Sequence, residues 1–174
     1  MRTEVDITKY KITIIFPIII MVASAVFMVL AVLAAIRENK LTSLPFYMVG
    51  AIAVIFLNRY LHEACHYLVG KIQGFKCEMK FGLKMSECRV DGVQSYKQVI
   101  ALSLAPLYVY IPISLLILLF SSAFIFIAMY LGVLCLFVGG MIGDFIYVYE
   151  ALRNRGGSFT DNGHVLIIEK GKVI

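Results

Sequence analysis

Charge is scarce in this chain. Of its 174 residues only 16% are Asp, Glu, Lys or Arg, while 61% are hydrophobic. A soluble domain of this length has too little interior to hide so much apolar surface, so the composition implies an integral membrane protein. Cysteine is sparse too. Cys65, Cys77, Cys88 and Cys135 form no C-x-x-C, and two of them fall in apolar runs, which argues against a disulfide framework. Histidine is sparser still: His62, His66 and His164 are too few for the histidine-rich di-iron sites of membrane oxygenases. There is no internal repeat and no low-complexity stretch. The first apolar run is too long for a signal-peptide core and lacks a small-residue cleavage site, so it is expected to remain as a span. One membrane-embedded domain, 1–174, is expected, with no room for a separate soluble catalytic module.

What is present is apolar sequence in spanning lengths. Four spans are expected, at about 12–36, 45–70, 99–120 and 122–149, with a tail over 150–174. Each reaches the roughly 20 residues that a bilayer requires. Only Ser121-Ser122 separates the last two, so one long bent helix is the competing assignment. The net charge of +5 tracks the segments between spans, which points to membrane topology and away from nucleic acid. Arg2, Lys9 and Lys11 precede the first span; Lys71, Lys76, Lys80, Lys84, Arg89 and Lys97 lie between the second and third; Arg153, Arg155, Lys170 and Lys172 are in the tail. That is thirteen cations on one face against Arg37 and Lys40 on the other, so both termini should be cytoplasmic. Arg59 is the cation left inside a span.

The segment after the second span alternates. Phe75, Cys77, Met79, Phe81, Leu83 and Met85 are separated by Lys76, Glu78, Lys80, Gly82 and Lys84. Period two is the signature of a half-buried strand. Gly82 could turn it into a hairpin, and Asp91-Gly92 is a turn signal. Such an element either offers its edge to an extended substrate or merely caps the helices. Pro106 and Pro112 should kink or interrupt the third span, which a membrane bundle tolerates. The tail has a Gly-Gly turn and a short strand over Val165–Ile168. The expected fold is all-α: a four-transmembrane-helix bundle with a small β-hairpin-like loop at the cytoplasmic or membrane surface.

Within the second span stands His62-Glu63-Ala64-Cys65-His66, an H-E-x-x-H sequence. On a helix, positions i and i+4 share a face. Two imidazoles at that spacing can hold one Zn²⁺, and the intervening Glu63 can act as general base toward a zinc-activated water. Polar groups in hydrocarbon are costly, which makes them functional candidates by default. A catalytic zinc usually takes a third protein ligand. The candidates are Asp144, Glu150 and His164. Asp144 is preferred as the acid well inside another span, at a depth similar to the histidines; its alternative role is counter-ion to Arg59. Gly139, Gly140 and Gly143 would let helices approach closely there. Asn58 and Arg59 lie four residues before His62 and Glu63. They could orient an imidazole and bind a substrate carbonyl, or simply join helices. Cys65 points off the metal-binding face and is expected to pack.

This combination resembles the site-2 protease class of intramembrane zinc metalloproteases: His62-Glu63-x-x-His66 in a span, a β-like loop, Ala105-Pro106 opening the next span, and Gly143-Asp144 in a later one. It is most similar to the small zincin-like peptidases among uncharacterised prokaryotic membrane proteins, and Gly157-Ser158-Phe159 with Asp161 resembles their tail. The likeness runs from about Asn58 to Asp161. In that class a longer Asp-Gly-type motif surrounds the third ligand, whereas Phe145 follows Asp144 here. The resemblance implies peptide-bond hydrolysis of a membrane protein or peptide substrate, in a prokaryotic cell membrane. Two rival expectations are a membrane zincin that trims lipid-anchored or secreted peptides, and a catalytically silent membrane scaffold.

Overall fold

The computed structural model describes residues 2–80, 82, 87–120, 124–161 and 165–170. The chain is mostly helical, with short strands in the connecting segments. In order these are β1 (Arg2–Asp6), α1 (Ile12–Arg37), α2 (Leu44–Ile72), β2 (Lys76–Lys80), β3 (Glu87–Asp91), β4 (Gln94–Ser95), α3 (Tyr96–Ser103), α4 (Ala105–Phe120), α5 (Phe124–Gly140), α6 (Ile142–Arg153), β5 (Gly157–Asp161) and β6 (Val165–Lys170). Three helices are long and apolar enough to cross a membrane, over Ile12–Arg37, Leu41–Ile72 and Tyr96–Leu116; α5 and α6 qualify only when taken together.

The residues gather into two compact units. One contains 14–58 and 110–141. Its centre is built from small side chains: Ala31, Ala34 and Ala35 of α1 meet Ile125, Ala128 and Met129 of α5. Ser24 Oγ donates to the Gly132 carbonyl at 2.9 Å, so the helix backbones come close together. Packing through small residues is how helices associate where no hydrophobic force drives them together. A Cβ on Gly139 would stand 2.7 Å from Ile20, so that glycine is required for close approach. Gly140 has nothing within 4 Å and serves no such purpose. Large apolar side chains of this unit, such as Ile18, Val22, Phe46, Val49 and Phe56, are exposed. Exposed apolar side chains in such number are compatible with a membrane environment.

The other unit contains 1–13, 59–109 and 142–174. It carries two sheets. β2 and β3 form an antiparallel hairpin with Cys77 opposite Val90 and Met79 opposite Cys88. The alternation expected from sequence is present: Lys76, Glu78 and Lys80 are exposed, Cys77 is buried and Met79 half-buried. Phe81, Leu83 and Met85 of that expected strand lie outside the described residues, as does the Ser121-Ser122 boundary. The hairpin sits on the end of α2, where Gly70 leaves room for it; a Cβ there would come within 2.5 Å of Cys77 Sγ.

The second sheet was largely unexpected. Its order is β1-β6-β5-β4, antiparallel throughout, so the N-terminal strand pairs with the C-terminal one. Phe159, Leu166 and Ile168 from this sheet are buried with Val99 of α3 and Ala151 of α6. Tyr10 ties the N-terminal segment to α6, its hydroxyl donating to the buried Glu150 carboxylate at 2.6 Å.

Within the third expected span the helix lapses at one residue, Leu104, although Tyr96–Leu116 still counts as a single spanning helix. α3 opens at Ser95, whose N–H donates to Gln98 Oε1 at 2.8 Å as half of a capping box. It stops at Ser103, and α4 begins at Ala105 with Pro106 in its first turn. Pro112, by contrast, lies inside an unbroken α4. The fourth expected span is likewise divided, at Met141.

Candidate metal centre

The i, i+4 rule places His62 and His66 on one face of α2, and their Nε2 atoms stand 3.0 Å apart. Asp144, in the first turn of α6, brings its carboxylate to both. Oδ2 is 3.3 Å from His62 Nε2 and Oδ1 is 3.5 Å from His66 Nε2. One ligand atom from each of the three residues lies within 4.8 Å of the others, and the group could hold a metal ion. For a tetrahedral ion with ligand bonds of about 2.0–2.1 Å, neighbouring ligand atoms stand about 3.3 Å apart. The two histidine nitrogens stand slightly inside that spacing, and each faces a different oxygen of Asp144, so the group is close enough to share one ion. The side chains are 16%, 11% and 16% exposed for His62, His66 and Asp144, so the group is largely buried.

Each imidazole needs its other nitrogen settled. In His66, Nδ1 lies 2.9 Å from the Leu102 carbonyl oxygen. A carbonyl can only accept, so Nδ1 carries the hydrogen. In the neutral ring Nε2 then presents a lone pair to the centre.

Glu63 shares α2 with the histidines. Its Oε2 accepts the Cys88 N–H of β3 at 2.8 Å. That N–H therefore points out of the hairpin, away from β2 and toward α2. The hairpin fixes one carboxylate oxygen by main chain. Burial pushes the Cys88 thiol up to about 12, with Cys77 and Glu63 adding to the shift.

His62, His66 and Asp144 are thus brought together as expected from sequence, and Glu63 is beside them on α2. None of the other candidates joins this metal-holding group among the described residues. Glu150 is buried and engaged by Tyr10 and by Asn154 Nδ2 at 3.1 Å. His164 lies outside the described residues. Asn58, for which orienting an imidazole and joining helices were the two expectations, has its Oδ1 buried with no hydrogen-bond partner among the described residues. Arg59 is half-buried one turn before Glu63. Cys65 is buried, as expected of a packing residue. Sequence reasoning missed the Leu102 carbonyl and the Cys88 N–H, because main-chain groups have no letter of their own. For Leu102 there was one signal, a proline four residues later.

Compared with protein families, with curated proteins and with solved structures, the chain has no match.

Proposed function

We propose that the protein is a zinc-dependent intramembrane endopeptidase acting on membrane-associated proteins or peptides. The observation that carries this is the convergence of His62, His66 and Asp144, with Glu63 of the same helix held by β3. His62, His66 and Asp144 would hold the zinc. Bound there, the ion supplies Lewis acidity, making water nucleophilic near neutral pH and polarising a carbonyl. The remaining chemistry belongs to the chain. Glu63 accepts a proton from the attacking water and passes it to the departing amine nitrogen as the C–N bond breaks. The Cys88 N–H anchors one oxygen of Glu63, so the other is aimed and not freely rotating. A substrate helix must unwind to expose a carbonyl, and the β2–β3 hairpin offers strand edges to hold it extended.

We assign four spans, the fourth being α5 with α6, and both termini to the cytoplasm. Two independent features support this. Lys and Arg favour that face thirteen to two. The sheet β1-β6-β5-β4 joins the N-terminal segment, the segment between α2 and α3, and the tail. Strands of one sheet lie on one side of a membrane, so the number of crossings between them must be even. The three qualifying helices alone would give an odd number.

Zinc analysis of the purified protein tests the proposal. About one zinc per chain is expected, lost in H62A and in H66A. Full retention in both variants would overturn the site. Capture of membrane substrates by E63Q would then distinguish an endopeptidase from a silent scaffold, which would bind them whether or not Glu63 is present and cleave none.

A further inference from the structure

The break between α3 and α4 sits directly against the proposed site. In an α-helix the carbonyl of residue i accepts from the N–H of residue i+4. For Leu102 that donor would be residue 106, which is proline and has no N–H. The Leu104 N–H bonds to the Ile100 carbonyl at 3.0 Å and also faces the Leu102 oxygen, so the turn closes on the near side of Leu102 and leaves its i+4 side open. His66 Nδ1 stands 2.9 Å from that oxygen. Leu102 and Ser103 are both buried, so water is not on hand to replace the missing donor. A carbonyl released by proline in a membrane helix must find another partner, and here the partner is the imidazole.

We propose that Pro106 is a positioning residue for His66. By carrying no N–H it reserves the Leu102 carbonyl for Nδ1, which fixes the ring's tautomer and turns Nε2 toward His62 and Asp144. Its consequence for metal affinity rests on the zinc reading above; its consequence for the tautomer does not. A residue with an N–H at 106 supplies the competing helical donor. His66 then loses its acceptor and can place its hydrogen on Nε2, where it blocks the metal.

The test separates the missing N–H from the proline ring. P106A restores the N–H. Replacing Pro106 with lactic acid by nonsense suppression removes the ring but puts an ester oxygen where the N–H would be. The readouts are ¹⁵N shifts of the His66 ring in metal-free protein, and Zn²⁺ affinity by competition with a chelator. P106A should shift His66 toward the Nε2–H tautomer and weaken Zn²⁺ binding about 10–100-fold, the usual cost of losing an outer partner of a ligand. The ester variant should keep both wild-type values. Equal losses in the two variants would mean that the ring's bend is what matters, and would overturn the proposal. So would a P106A protein with unchanged tautomer and affinity. Should P106A not fold, an α-hydroxy acid at 103 makes the Leu102 carbonyl a weaker ester acceptor while leaving Pro106 in place. It should disturb the His66 tautomer in the same direction, and an undisturbed ring would reject the role. A wild-type protein that binds no Zn²⁺ would reject the zinc reading alone, because the tautomer measurement still decides what Pro106 does.

Discussion

At the scale of single residues, Glu63 and Asp144 have separable roles. Glu63 touches the β3 main chain, and Asp144 touches both histidines. E63Q should therefore keep its zinc and lose about 10²–10⁴-fold in turnover, the usual contribution of a positioned acid–base group. D144N exchanges an anionic ligand for a neutral amide. It should lose zinc and activity together, by more than the roughly 10–100-fold typical of an outer partner. Zinc content and cleavage measured on both variants check this, and a zinc-replete D144N with normal turnover would remove Asp144 from the site. These residues were legible in the sequence because chemistry and spacing coincide. H-E-x-x-H needs only helical periodicity, and an acid inside an apolar run draws notice by its cost. Leu102 and Cys88 were not legible, because what they contribute is a carbonyl and an N–H common to nearly every residue.

At the scale of elements, the hairpin is the least replaceable part of the proposed chemistry. Its alternation was readable over Lys76–Lys80, where polar side chains face out and Cys77 faces in. Its return strand was not, since Glu87–Asp91 is short, polar and paired by register with β2. The Cys88 N–H points away from β2, so proline at 88 should remove the bond to Glu63 without breaking the ladder within the hairpin. C88P should then retain zinc while activity falls by up to about 10²-fold, as expected for a misplaced catalytic group. C88A keeps the N–H and should behave like wild type. Equal activity in C88P and C88A would reduce the hairpin to a cap. The interruption at Leu104 was foreshadowed by Pro106, whereas that at Met141 has no proline to announce it.

At the scale of the whole molecule, what the sequence concealed was the four-stranded sheet. β1 reads Arg-Thr-Glu-Val-Asp, with one apolar residue to hint at a strand. It forms because β6 lies beside it, a pairing of residues more than 150 apart that no local pattern encodes. The same segment is pinned through Tyr10. Burial, and then the Glu150 carboxylate that accepts its hydroxyl, push Tyr10 from 10.0 up to about 12. A group raised in the folded state contributes stability that is complete below its unfolded value and lost as pH rises through the folded one. Stability should therefore decline between pH 10 and about 12. Y10F should lose that part of the decline, as alkaline unfolding curves of the two proteins would reveal. Y10F should also be less stable by about 1–3 kcal/mol at neutral pH, because the buried Glu150 is left with one partner fewer.

That sheet also makes topology a sharper question than charge counting alone could. The positive-inside rule is statistical, and the bias toward the terminal face could fail in one protein. Hydrogen-bonded pairing is not statistical: under the proposed membrane assignment, β1 with β6 and β4 with β5 place the two termini and the segment near Gln94 on one side. Reporter fusions after Gly92 and at the C-terminus should both report the cytoplasm, and a fusion at Lys40, between α1 and α2, should report the outside. Reversal of all three would leave the fold intact and defeat only the charge rule. A C-terminus opposite to Gly92 would be incompatible with the sheet itself, and the four-span assignment would fall with it.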